Sequence, residues 1–272
     1  MEIEIDLTKS VDENAGTYFN LAKKAKKKIE GAKKAVEVSK KKLEKLQKDE
    51  DKFMEVETKK LEKKERKKEW YEKFHWFVSS EDFLCVGGKD ATSNEIIVKK
   101  HTDKDDLVFH TEMAGSPFFI VKNGQSAKEE TINEAAQATG VYSRAWKLGH
   151  TTADVFYVKP EQVSKEAQSG EYMSKGSFMV RGKSTFVYPR LEYAIGLVDT
   201  QKPRIPGTAS DGAEIIGGPL TAIKKRTNKF VKVIPGKYKK SALAKKIRSK
   251  LKGGDLDDII KFLPAGGAEI KK

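Results

Sequence analysis

The sequence predicts an α+β protein: a long α-helical coiled-coil hairpin followed by a mixed, largely antiparallel β-sheet domain with packed helices. Three observations predict it. Small and apolar residues between 22 and 46 recur at alternating spacings of three and four, the period of a helical seam. From residue 83 onward short apolar runs alternate with turn residues, the pattern of strands. Charge is also divided along the chain. Lys23–Lys68 holds 20 Lys/Arg against 10 Asp/Glu, residues 69–214 hold 17 against 21, and Ile215–Gly254 holds 13 Lys/Arg and no acid. Together these suggest a basic coiled coil over 1–68, a core domain over 69–199, a linker loop over 200–218 and a basic extension over 219–272.

The coiled-coil seam is Ala22, Ala25, Ile29, Ala32, Val36, Ser39, Leu43 and Leu46. It is mostly small, so it permits close helix approach but buries little, and it needs a partner helix. The polar run 47–51 suits a turn, after which Phe53, Met54, Val56 and Leu61 fall on a second basic helix running to Lys68. The expected shape is an antiparallel hairpin; one continuous helix pairing with another chain is the alternative. Five aromatics between Trp70 and Phe77 call for core packing where the coil meets the domain.

Strands are expected at Phe83–Val86, Glu95–Lys99, Leu107–His110, Pro117–Val121, Asp154–Val158 and Ser177–Val180, with a turn from Gly87 to Asn94. Thr131 and Glu134 have capping-box spacing at the head of an alanine-rich helix reaching Trp146. The extension reads as a hairpin, Leu220–Lys225 with Lys229–Ile234, then short helices from Ser241 and near Asp255.

Composition narrows the function. With 38% hydrophobic and 35% charged residues, the chain is too apolar for disorder throughout and too charged for one compact globule. A net charge of +14 suits a polyanion, nucleic acid first and an anionic membrane surface second. No apolar run reaches spanning length, and the acidic, alternating N-terminus does not read as a signal peptide, so a cytoplasmic protein is expected. The single cysteine, Cys85, lies in an apolar run and reads as core.

Enzymatic motifs fail one by one. Gly182-Lys183-Ser184 resembles the end of a phosphate-binding loop, but Ser177 stands where its first glycine belongs. His75, His101, His110 and His150 lack zinc-ligand spacing, and Asp103, Asp105 and Asp106 lack the later ligands of a calcium loop. His110, before the Gly115-Ser116-Pro117 turn, suits a buried hydrogen-bonded histidine. The expectation is no catalytic residue, no metal and no cofactor.

The run Arg66–His101 resembles the opening of an NFACT-R domain, the C-terminal module of the NFACT ribosome-quality-control proteins. The resemblance continues through Val108-Phe109-His110, Gly115-Ser116-Pro117, Glu134-Ala135-Ala136, Tyr142–Trp146, Val158–Tyr172 and Lys175–Lys183. The heptad region is similar to the family's middle coiled coil, and the tail is similar to archaeal members.

The resemblance implies binding to the large ribosomal subunit, to rRNA or tRNA. In bacteria and archaea it also implies tRNA recruitment for template-free tailing of nascent chains. The family's NFACT-N part, which carries the Asp-Arg pair tied to tailing, has no counterpart in these blocks. A separate NFACT-N chain, or a homodimer through the coil, is therefore an implied partner; no membrane is. The structural alternative is a coiled-coil adaptor whose RNA contact is incidental. The loops around Lys89, Asp90 and Asn94 and around Arg181 and Lys183 become candidate contact loops, with Lys99, Lys100 and Arg144 also in reach of phosphate. The same Gly and Asp residues equally suit plain turns. In the acid-free segment Lys224, Lys225, Arg226, Lys239 and Lys240 are the candidates, and this segment is expected to supply most of the non-specific grip.

Overall fold

The structure, a computed structural model, describes residues 3–61, 69–165, 175–199 and 213–271, with the side chains of 45, 48–61, 199 and 213 outside that description. The chain divides into two compact units at Arg66/Lys67.

Among its described residues the first unit holds one helix, α1 (Val11–Leu61), after a short N-terminal segment. Its start follows from the sequence Ser10-Val11-Asp12-Glu13. The Ser10 hydroxyl accepts the Glu13 N–H at 3.2 Å, and the Glu13 carboxylate accepts the Ser10 N–H at 2.8 Å, a reciprocal capping box. The turn expected over 47–51 does not form, and the backbone is helical straight through it. That run is polar but holds neither Gly nor Pro, and Gln, Lys and Glu propagate a helix well. At 51 residues, α1 is about 77 Å long.

The second unit begins with a 3-10 turn, Trp70–Lys73. It then runs β1 (His75–Val78), β2 (Leu84–Gly87), α2 (Ala91–Lys100), β3 (Leu107–Thr111), β4 (Phe119–Val121), α3 (Glu129–Val141), α4 (Arg144–Lys147) and β5 (Val155–Val158). Next come β6 (Val163–Ser164), β7 (Met179–Val180), β8 (Thr185–Val187), β9 (Tyr193–Asp199), β10 (Ala213–Gly218), α5 (Leu220–Arg226) and β11 (Phe230–Tyr238). It closes with α6 (Lys240–Leu251), α7 (Leu256–Phe262) and β12 (Ala268–Ile270).

A six-stranded antiparallel sheet has the order β1-β2-β4-β3-β5-β8, and a four-stranded antiparallel sheet the order β10-β9-β11-β12; β6 and β7 form a separate pair. Strand alternation gives the larger sheet two buried faces. Phe109, Phe119, Val121 and Cys85 lie in the main core with α3, while Val86, Val108, Ile120 and Val158 pack with Ile97 of α2 and with Tyr71 and Phe74.

The main core also takes in Tyr193, Ile195, Val231 and Val233 of the second sheet and Leu243, Ile247 and Ile259 of α6 and α7. The segment set apart in the sequence as a basic extension therefore shares its hydrophobic core with the preceding domain. Specific bonds lock it there. Trp146, 1% exposed, donates its indole N–H to the Gly267 carbonyl at 3.1 Å. Truncating such a side chain typically costs about 3–5 kcal/mol. The Tyr142 hydroxyl reaches both the Phe262 carbonyl and the Tyr193 hydroxyl.

Several expected elements are corrected. Glu95–Lys99 belongs to helix α2. Its β-branched run suggests a strand, but Asp90 accepts the Ser93 N–H at 2.7 Å and caps a helix, and Lys99 pairs with Glu95 at 2.7 Å one turn back. Leu220–Arg226 is helix α5, not a hairpin strand; the Ile223 N–H bonds the Pro219 carbonyl and the Thr227 N–H the Ile223 carbonyl, each four residues back. β11 consequently pairs with β9 and β12. Of the expected linker loop, 213–218 is strand β10 and 200–212 lie outside the described residues.

Thr131 does not cap α3, which begins at Glu129. Instead its hydroxyl bonds Glu81 at 2.6 Å and Ser79 at 2.9 Å. Buried Glu134 accepts the Ser80 N–H at 2.8 Å and the Thr221 hydroxyl at 2.5 Å, tying α3 to the β1–β2 turn and to α5.

Candidate nucleic-acid interface

The second unit contains a cleft of about 890 Å³. Its first wall is the segment from Gly88 to Asn94. The Ser93 hydroxyl accepts the Lys89 and Asp90 N–H groups at 2.8 Å each, and Asp90 accepts back from Ser93, so these three residues form a cap on α2. Those bonds hold the Asp90 carboxyl below its usual pKa, with nearby Lys175 adding to the effect.

Asn94 is buried. Its carbonyl accepts the Phe118 N–H at 3.1 Å and its amide donates to the Ser116 carbonyl at 3.4 Å, fixing the second wall. Gly88 is required beside it, because a Cβ there would stand 1.9 Å from the Asn94 Oδ1. The third wall is the Lys175-Gly176-Ser177 turn. Gly176 has φ +79 and lies against α2, where a Cβ would come within 2.6 Å of the Ala91 backbone. The C-terminal segment closes the cleft with Lys240, Ile260, Lys261 and Ala265.

Charge defines the site. Lys89, Lys147, Lys175, Lys240 and Lys261 line it against the acids Asp90 and Glu112. Two of these lysines are perturbed by burial and by neighbouring cations. Burial lowers the Lys89 pKa and the Lys261 charge lowers it further; burial lowers that of Lys240, with Lys147 and Lys89 adding to it. Lys240 also donates to the Leu263 carbonyl at 2.7 Å, and Lys261 pairs with Asp258 at 2.7 Å.

His75 stacks on Tyr142 with centroids 3.7 Å apart. Burial, then the Lys89 and Lys240 charges, push its pKa down to about 3, so a neutral imidazole faces the lysines. His110 stacks on Phe118 at 4.3 Å, and burial lowers its pKa too. Repelling cations gathered on a partly desolvated wall suit an anionic ligand, and the aromatic lining suits a ligand with flat rings.

The sequence candidates divide. Lys89, Asp90, Asn94 and Lys240 line this cleft; the Asp90 and Asn94 side chains carry cap and loop bonds there. Lys239 stands at the N-terminal boundary of α6, next to Lys240. Lys99 and Lys100 end α2 and Arg144 begins α4, all exposed and outside the cleft lining. Arg181 and Lys183 are exposed in the turn before β8, held by Gln162, whose amide donates to both their carbonyls at 2.9 and 3.0 Å. Lys224 is exposed on α5. Lys225 and Arg226 clamp the β1–β2 turn: they pair with Asp82 at 2.9 and 3.0 Å and donate to the Ser80 and Ser79 carbonyls. Lys147, Lys175, Lys261, His75 and His110 complete the cleft and were not among the candidates; as scattered single residues they carry no local signal.

Residues 73–182 match the family described as NFACT protein RNA binding domain. The chain carries an NFACT-R domain. It is 41% identical over 210 residues to the archaeal Rqc2 homolog aRqcH of Methanocaldococcus jannaschii, covering 75% of this chain and 30% of that protein. It is 42% identical over 130 residues to the ribosome quality control complex subunit NEMF homolog of Drosophila melanogaster, covering 47% of this chain and 13% of that one. It is also 42% identical over 122 residues to human ribosome quality control complex subunit NEMF, covering 44% and 11%. The chain thus spans less than a third of the length of these relatives. The cleft joins Lys89, Lys147 and Lys175 of the NFACT-R match to Lys240 and Lys261 beyond it.

Proposed function

We propose that this chain is an RNA-gripping module of cytoplasmic ribosome quality control, holding rRNA of the large subunit or tRNA in the lysine-lined cleft. The observation that carries the reading is the convergence of five lysines from both ends of the second unit on one concave, partly aromatic surface. The RNA-binding description of the matched family supports it, as do the quality-control names of the relatives. Such binding is dominated by counterion release and falls steeply with salt. Sedimentation of the purified chain with ribosomes tests it. Cosedimentation with large subunits at low salt, abolished on raising salt, is expected; a protein that stays at the top of a low-salt gradient refutes it.

A second reading is favoured by α1. Ile29, Val36, Leu43 and Leu46 of the heptad seam are 56–67% exposed, a stripe without cover among the described residues. We infer that this helix pairs with a second helix, from a separate NFACT-N chain or another copy of this one. Light scattering across a concentration series distinguishes the two: a dimer that dissociates on Leu43→Asp supports self-pairing.

A further inference from the structure

One row of aromatic rings crosses the larger sheet and runs out of the cleft. Register places His110 of β3 opposite Phe156 of β5, and Phe156 opposite Phe186 of β8. The ring centroids step by 6.0 Å from His110 to Phe156, 5.9 Å to Phe186 and 6.4 Å to Tyr188. His110 and Phe156 line the lysine cleft, whereas Phe186 and Tyr188 lie beyond it on and just after β8, the end strand of the sheet. There they open to water: Phe186 is 41% and Tyr188 66% exposed. Their rings lie within 17° of parallel. The turn entering β8 presents Arg181 and Lys183, both exposed, around Gly182 at φ +84.

The plain alternative is a sheet edge that happens to end in aromatics. Two features go against it. Apolar rings cost free energy in water where a polar residue would serve on an edge. The row is also continuous with a cationic cleft at one end and flanked by cations at the other. Aromatic faces beside a phosphate-gripping groove are the components by which proteins hold unpaired strands, since every base offers a π face once it leaves a duplex. A duplex hides those faces and could use only the charges.

We propose that the row from His110 through Phe156 and Phe186 to Tyr188 is a stacking platform for an unpaired RNA strand, whose phosphates follow the cleft lysines and the 181–183 turn. This rests on the RNA reading of the cleft and adds strand selectivity to it.

The test is fluorescence anisotropy of the full chain with two probes of equal phosphate count, a single-stranded oligouridylate of about eight nucleotides and a hairpin duplex. The wild type binds the single strand more tightly. Phe186→Leu with Tyr188→Leu keeps apolar surface but removes both faces. It weakens single-strand binding about 10-fold or more, leaves duplex binding and the salt slope unchanged, and keeps the cooperative thermal melt, because Tyr188 is exposed and leucine at 186 retains apolar contact with Phe156. Tyr188→Phe retains the affinity.

Unchanged single-strand binding by the double variant, with Lys89→Gln weakening both probes, overturns the platform and spares the cleft. Equal loss on both probes overturns the platform as well. A wild type that binds neither probe overturns the RNA reading itself.

Discussion

Neutralising Lys89 separates function from folding, because the two respond in opposite directions. Lys89 projects from the cap on α2 and faces the charge of Lys261, and its pKa is lowered first by burial and then by that repulsion. The folded chain disfavours the ammonium relative to the unfolded chain. The charged form therefore costs stability at neutral pH, and the cost vanishes as pH rises from the folded pKa through 10.5.

Lys89→Gln removes the repulsion and stabilises the RNA-free protein by about 0.5 kcal/mol after solvent screening, about 1–2 °C in melting temperature. RNA affinity moves the other way. Removing one cation from the phosphate grip lowers the slope of log affinity against log salt by about 0.7, so binding weakens about 5-fold at 0.1 M salt and the two proteins converge near 1 M. Anisotropy titrations at several salt concentrations, with thermal melts of the same samples, measure both. A variant with wild-type salt slope, or one that melts lower and binds normally, refutes the reading of Lys89 as a binding group held in place at a cost to the fold.

Other outcomes follow from the same geometry. Arg226→Met breaks the clamp on Ser79 and Asp82 and leaves the buried part of that turn unpaired, so stability falls by about 2 kcal/mol in denaturant titration while RNA affinity stays unchanged; abolished RNA binding at full stability would instead place Arg226 on the RNA. His75 has a folded pKa of about 3 against 6.5, so the unfolded chain binds the extra proton first as pH falls. That stability is present above pH 6.5 and declines progressively below it, by about 2 kcal/mol at pH 5. His75→Phe keeps the stack on Tyr142 and should flatten the melting-temperature profile over that range; an unaltered profile contradicts the assignment.

Much of the fold is legible in the sequence because its signals are local. The α1 seam, the apolar runs of β3, β4 and β5, and the helix start near Asp255 all rest on spacing or a single hydrogen-bonding side chain. The α+β class and the antiparallel sheets follow from them. Where two local signals compete, propensity misleads. Ile96, Ile97 and Val98 favour a strand, yet the Asp90–Ser93 cap decides for helix.

The site is legible only in part, for a different reason. Net charge along the chain points to the acid-free segment, but charge in sequence is not charge free in space. Lys225 and Arg226 are held by Asp82, and Lys232 by Glu192. Lys240 and Lys261 gain their place only because α6 and α7 pack against the same core as β1 and α3. No window of sequence contains that meeting, nor the cross-strand register that aligns His110, Phe156 and Phe186.

The proposed function requires RNA to be held by the cleft, not merely by the lysines of α1. Ultraviolet crosslinking of the full chain to bound RNA, followed by mass-spectrometric mapping of the crosslinked peptides, distinguishes the two. Crosslinks concentrated at residues 88–94, 110–118, 175–188 and 240–261 are predicted from the cleft and its aromatic row. Crosslinks confined to α1, with those segments unlabelled, would contradict the account.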